Sequence, residues 1–211
     1  LLANFQGGSF YPLNIIFFIL PFSISWSLLI LLQPLLSIIF LYLYLNNLKL
    51  NKLASLFGSI VFGFSGFSIA WMEWGNIIHT ALWLPLILLS IDKIFAYFID
   101  NSKFKIQNSK LQLKIKKCLV WFLVFVSSLI SSFFAGHLQI FLYVFMVSAA
   151  YFFARWFQFE RKKSILLLFL ILNSLFLILT FIQWFPTLKF ILLSARNIDQ
   201  VGFNNPGWFI P

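Results

Sequence analysis

The chain has 211 residues, of which 62% are hydrophobic and only 9% charged, so a water-soluble fold would lack the polar surface to cover itself. That excludes a soluble domain and makes a bilayer the apolar solvent. A net charge of +10 points to nucleic acid only where the charges form a folded face with stacking aromatics, and the basic stretch Asn101 to Lys117 contains Phe104 alone.

In chain order, the first apolar stretch runs from Phe10 to Leu20 and contains Pro12, with Pro21 behind it. It is too short to cross ~30 Å of hydrocarbon and reads as an interfacial or re-entrant helix within an outer segment, residues 1–25. Six longer runs follow: Trp26 to Leu45, Leu53 to Trp71, Ile77 to Phe95, Cys118 to Phe134, Leu138 to Arg155 and Ser164 to Phe185. They are continuous, not alternating, which favours helices over barrel strands. The expected fold is therefore an all-α polytopic membrane protein. It has about six transmembrane helices and a short N-terminal helix, in one domain over residues 1–211. Ser55, Ser59 and Gly63 recur every four residues, a helix-packing pattern. Cys118 has no partner for an intrachain disulfide, and it opens an apolar run, where it serves as a small hydrophobe.

The basic residues lie in alternate connections. Lys49 and Lys52 join the first two runs, Lys93 to Lys117 close and follow the third, and Arg155 to Lys163 follow the fifth. The remaining two, Lys189 and Arg196, come after the sixth run. The positive-inside rule thus makes residues 96–117 a basic cytoplasmic loop, with both termini and residues 186–211 on the outer side. No charge sits in the middle of a run, which counts against an ion-coupled carrier.

Polar residues gather at the outer ends. In Trp71-Met72-Glu73-Trp74-Gly75-Asn76-Ile77-Ile78-His79, a helix would place Glu73, Asn76 and His79 within roughly 60° of one another. The same residues also suit an ordinary wet turn. His137, in Ala135-Gly136-His137-Leu138-Gln139, either hydrogen-bonds a ligand phosphate or caps the turn. Gln183 ends the sixth run, and Lys189 and Arg196 suit either a lipid phosphate or plain solvation. Two histidines and one glutamate in separate loops do not make a zinc site.

These residues resemble YfhO-type bacterial membrane proteins, relatives of the C-type-fold glycosyltransferases. The likeness is carried by Leu2-Ala3-Asn4-Phe5-Gln6 with Phe10-Tyr11-Pro12-Leu13-Asn14, and by Phe62-Gly63-Phe64-Ser65-Gly66-Phe67 with Asn76 and His79. Ala135 to Gln139, Gln183-Trp184-Phe185-Pro186-Thr187 and Leu193-Ser194-Ala195-Arg196 complete it. The family pattern has Pro where Phe5 stands, and differs at Trp74-Gly75.

The resemblance implies sugar transfer from a polyprenyl-phosphate carrier to a cell-envelope glycopolymer or lipid, on the outer face of the bacterial cytoplasmic membrane. It implies substrate contacts from Asn4, Gln6, Tyr11, Asn76, His79, His137, Gln139, Gln183 and Arg196. It also implies an acid in the first outer loop, acting on the acceptor hydroxyl or a divalent metal. That acid, and a helix before it, are expected upstream of Leu1, so this stretch alone is expected to be inactive. Within the chain the outer side offers only Glu73 and Asp199 as a general base, and neither matches the family's catalytic position. A translocator of lipid-linked glycans and a non-catalytic membrane scaffold are the alternatives. Membrane lipid, the lipid-linked sugar and an envelope acceptor are the expected partners, and nucleic acid is not. A topology reporter fused at Ser109 should read cytoplasmic and one at Asn205 external; the reverse would overturn the orientation.

Overall fold

The computed structural model describes residues 5–103, 108–158 and 162–193, and among these all regular structure is helical. Two 3-10 turns, Phe5–Gly7 and Pro12–Phe18, precede α1 (Phe22–Asn47), α2 (Lys52–Gly63) and α3 (Gly66–Trp71). A third 3-10 turn, Met72–Trp74, leads to α4 (Ile77–Ala81) and α5 (Leu84–Lys103). Then come α6 (Asn108–Phe134), α7 (Leu138–Phe157), α8 (Lys162–Leu179) and α9 (Phe181–Leu193).

Among the described residues, four helical stretches are long and apolar enough to cross a membrane, and five if α8 and α9 together form one. The sequence expectation of about six differs at two places. The apolar part of α6, Leu119–Phe134, is short, and the sixth run is bent by 69° between α8 and α9. Thr180 stands at the bend. Its hydroxyl donates to the carbonyl of Phe176 at 2.8 Å, a back-bond that bends helices, and Trp184 Nε1 donates to the Leu177 carbonyl at 3.0 Å. The expected cytoplasmic loop, residues 96–117, is largely helical, since α5 and α6 run far into it, and α9 occupies residues 186–193 of the expected outer segment. The N-terminal stretch forms a seven-residue 3-10 turn whose end exposes Phe18 and Ile19, in keeping with an interfacial position.

Burial decides which helix is central. Half of the apolar window in Ile77–Phe98 is buried, against 22% of the windows in α1 and α7. The less buried helices present Leu, Ile and Phe outward, as hydrocarbon requires and water forbids. Because lipid tails are as apolar as Leu, packing rather than a hydrophobic force must hold the helices. Two devices supply it. Ser55, Ser59 and Gly63 are buried along α2, and a Cβ at Gly63 would lie 2.5 Å from Ile38 Cγ1 and 3.0 Å from the Pro34 carbonyl of α1. Across α6, α7 and α8, phenyl rings interlock. Phe152 stacks on Phe169 at 3.8 Å, and Phe133 meets Phe141 and Phe176 edge-on, each pair contributing about 0.5–1.5 kcal/mol.

The two ends of the bundle are fastened differently. At the basic end, the buried Asp92 of α5 accepts hydrogen bonds from Asn47 Nδ2 at 3.1 Å and from the Tyr151 hydroxyl at 2.8 Å. Arg155 Nε lies 3.1 Å from the same carboxylate without hydrogen-bond geometry, so it adds a charge contact.

The opposite end is fastened by backbone. Gly136, with φ at +96°, turns the chain between α6 and α7, and a Cβ there would lie 2.9 Å from the Phe5 carbonyl, 3.0 Å from Gly8 N and 3.1 Å from the Gln6 carbonyl. Gly8 is also left-handed at +54° and faces the Phe134 and Ala135 carbonyls. Gly136→Ala should therefore combine backbone strain with a clash, costing about 1–3 kcal/mol. Thermal unfolding in detergent should show a clear drop for it and almost none for Gly7→Ala, where the nearest atom is 3.7 Å away; equal behaviour would refute the docking.

Candidate functional site

At this backbone-fastened end, the first turns of α7, the N-terminal 3-10 turn Phe5–Gly7 and α9 enclose a cleft of about 830 Å³. Gln6, His137, Gln139 and Thr187 supply its polar groups, while Phe5, Phe141 and Phe190 are among its apolar walls. Each wall has a local cause. Gly8 and Gly136 allow the contact that seats Gln6 beside His137, and the bend at Thr180 swings α9 over the opening.

His137 is the N-cap of α7, and its Nδ1 accepts the Ile140 N–H at 3.3 Å. The turn-capping role is therefore real. With Nδ1 accepting, the neutral ring carries its proton on Nε2. Burial lowers the proton affinity of His137 below the ordinary histidine value, which favours that neutral form. Gln139 lies exposed at the rim and donates to the Tyr143 hydroxyl at 2.8 Å. Gln183 is buried in α9, donating to Thr187 Oγ1 at 3.2 Å, while the Thr187 hydroxyl donates to the Gln183 carbonyl at 2.9 Å. Lys189 lies outside the cleft lining, with its ammonium 4.6 Å from the Phe185 ring centroid.

The other flagged residues fall elsewhere. Gly75 is left-handed, with φ at +66°, and breaks the hairpin, so Glu73, Asn76 and His79 do not share one helix face. Glu73 is exposed on the 3-10 turn Met72–Trp74. Asn76 starts α4 with its carbonyl accepting the Thr80 N–H and hydroxyl. His79 is fully buried. Its Nε2 donates to the Leu29 carbonyl at 3.0 Å and its Nδ1 accepts the Tyr11 hydroxyl at 2.8 Å. Burial raises the Tyr11 phenol above its ordinary value, so Tyr11 remains a donor. Tyr11 and His79 thus bolt the N-terminal segment to α1 and α4 and present nothing to the cleft. Asn4, Arg196 and Asp199 lie outside the described residues.

No family model, curated protein or solved structure matches the chain. The site must be read from its own atoms. Among the described residues no three His, Cys, Asp or Glu side chains gather as a metal site needs. Sequence reasoning missed Asp92. Its signal was available: a lone carboxylate in an apolar run must find a partner.

His79→Ala should leave the Tyr11 hydroxyl buried without an acceptor, a loss of about 1–3 kcal/mol. Thermal stability in detergent should fall, with cellular abundance and activity falling in step. A variant that keeps its stability while losing activity would return His79 to the substrate.

Proposed function

We propose that the chain is the substrate-holding helical part of a membrane glycosyltransferase. It would transfer a sugar from a polyprenyl-phosphate carrier to a cell-envelope glycopolymer or lipid, on the outer face of a bacterial cytoplasmic membrane that it crosses about six times. The observation that carries the reading is the cleft. Three residues flagged by the sequence, Gln6, His137 and Gln139, come from segments more than a hundred residues apart and line one space. That space opens at the end of the bundle away from Lys49, Lys52 and Arg155.

The chemistry asked of such a site is a displacement at the sugar's anomeric carbon. The bond to the carrier phosphate breaks, a bond to the acceptor oxygen forms, and the acceptor's proton passes to a base. Catalysis depends on holding the two substrates in line and on stabilising the charge that develops on the phosphate. The lining residues suit the first task, as donors and acceptors beside phenyl walls. Lys189 and Arg196 are the cations assigned to the second. Glu73 and Asp199 are the carboxylates this chain offers as base, and the resemblance assigns the task to an acid in an outer loop preceding Leu1.

In the complete protein, Gln139→Ala and Arg196→Ala should each lower sugar transfer at least about tenfold, or about 1.4 kcal/mol of transition-state binding. Membrane abundance, measured by immunoblot, should stay near the unsubstituted level. Parallel loss of transfer and abundance in both variants would leave the cleft a structural feature only.

A further inference from the structure

Among the described residues, the polar groups in the cleft lining are all uncharged. Gln6 and Gln139 are carboxamides, Thr187 is a hydroxyl, and His137 has its Nδ1 occupied by the Ile140 N–H, which leaves Nε2–H as a donor. The Thr187 hydroxyl proton is already committed to the Gln183 carbonyl. The nearest described cation in sequence, Lys189, sits over the Phe185 ring instead. Charged donors hold a phosphate best, since charge-assisted bonds are about twice as strong as neutral ones, and the His137 cap already takes the Ile140 N–H that the start of α7 would offer an anion. A sugar ring asks for something else. Its hydroxyls take one donor or acceptor each, which carboxamides and a neutral imidazole supply, and its C–H faces pack on phenyl rings such as Phe141 and Phe190.

We infer that the cleft holds an uncharged sugar ring, with His137 Nε2–H donating to one of the ring's oxygens and the carrier phosphate held outside the cleft. The inference rests on the transferase reading and adds which half of the lipid-linked substrate this space takes. It also separates two roles of His137, because the cap uses Nδ1 and the ligand uses Nε2. His137 is accordingly a binding residue, and it is not the base.

The substitution that divides these roles is His137→Asn. Asparagine is among the preferred N-cap residues, so it can still accept the Ile140 N–H, but its side chain is too short to offer a second donor to the cleft. The complete protein in lipid nanodiscs would be probed by saturation-transfer NMR with glucose, galactose, mannose and N-acetylglucosamine, with inorganic phosphate as competitor. At least one sugar should receive saturation. His137→Asn should weaken its binding about fivefold, the worth of one neutral hydrogen bond, with the unfolding temperature unchanged. Inorganic phosphate should not displace it.

Displacement by phosphate, or undiminished binding by His137→Asn, would overturn the inference. If no sugar receives saturation while the same preparation still transfers sugar from its lipid carrier, the inference fails and the transferase reading stands. If transfer is absent as well, both fail.

Discussion

Two left-handed glycines set the geometry of the end that bears the cleft. At Gly136 the chain must reverse between α6 and α7 while the backbone of Phe5 to Gly8 passes within van der Waals reach, and a side chain at this position would occupy space held by three backbone atoms. Only glycine meets both demands. From that contact the rest of the site follows. The N-terminal turn is pinned against α7, Phe5 enters the phenyl cluster against Phe133, and Gln6 comes to lie across from His137 and Gln139. The Tyr11–His79–Leu29 chain then fixes the same segment to α1 and α4 from the other side.

The order of these fastenings suits an apolar solvent. In hydrocarbon, burying one more Leu between helices gains little, whereas an unmet N–H or hydroxyl is costly. The bundle accordingly relies on close backbone approach at Gly63 and Gly136, on interlocked phenyl rings, and on a few fully engaged polar side chains. Phenyl rings, of which the chain has 30, supply much of the packing between α6, α7 and α8.

Hydropathy made the helical class legible, because the length of an apolar run is a one-dimensional property. It did not make the path legible. The sixth run reads as one span, yet Thr180 turns its hydroxyl onto the backbone and the helix changes direction. The hairpin before His79 suits either a continuous helical face or a wet turn, and Gly75 decides against the continuous helix by taking a left-handed conformation that ends one helix before the next begins. The candidate site shows the same division. The turn Ala135-Gly136-His137 stands out in the sequence as a tight connection, but nothing in the spacing reveals that residues 5–8 lie against it. His79 looks like a ligand-binding group on an exposed turn and is a buried tie, because both ring nitrogens find partners from elements distant in sequence. Asp92 passed unnoticed for the opposite reason: its partners Asn47, Tyr151 and Arg155 come from two other helices and become a cluster only in three dimensions.

The tie around Asp92 differs in kind from the one around Gly136. It contains an ion pair at 3.1 Å whose carboxylate is 7% exposed, well inside the screening length of about 8 Å at physiological ionic strength, so salt weakens it little. The ties described at the opposite end consist of glycine contacts, a phenol–imidazole hydrogen bond and stacked rings, which are spread over several residues. Asp92, by contrast, gathers Asn47, Tyr151 and Arg155 on one side chain. Losing that carboxylate would part α1, α5 and α7 at the lysine-rich end while leaving the walls of the cleft in place.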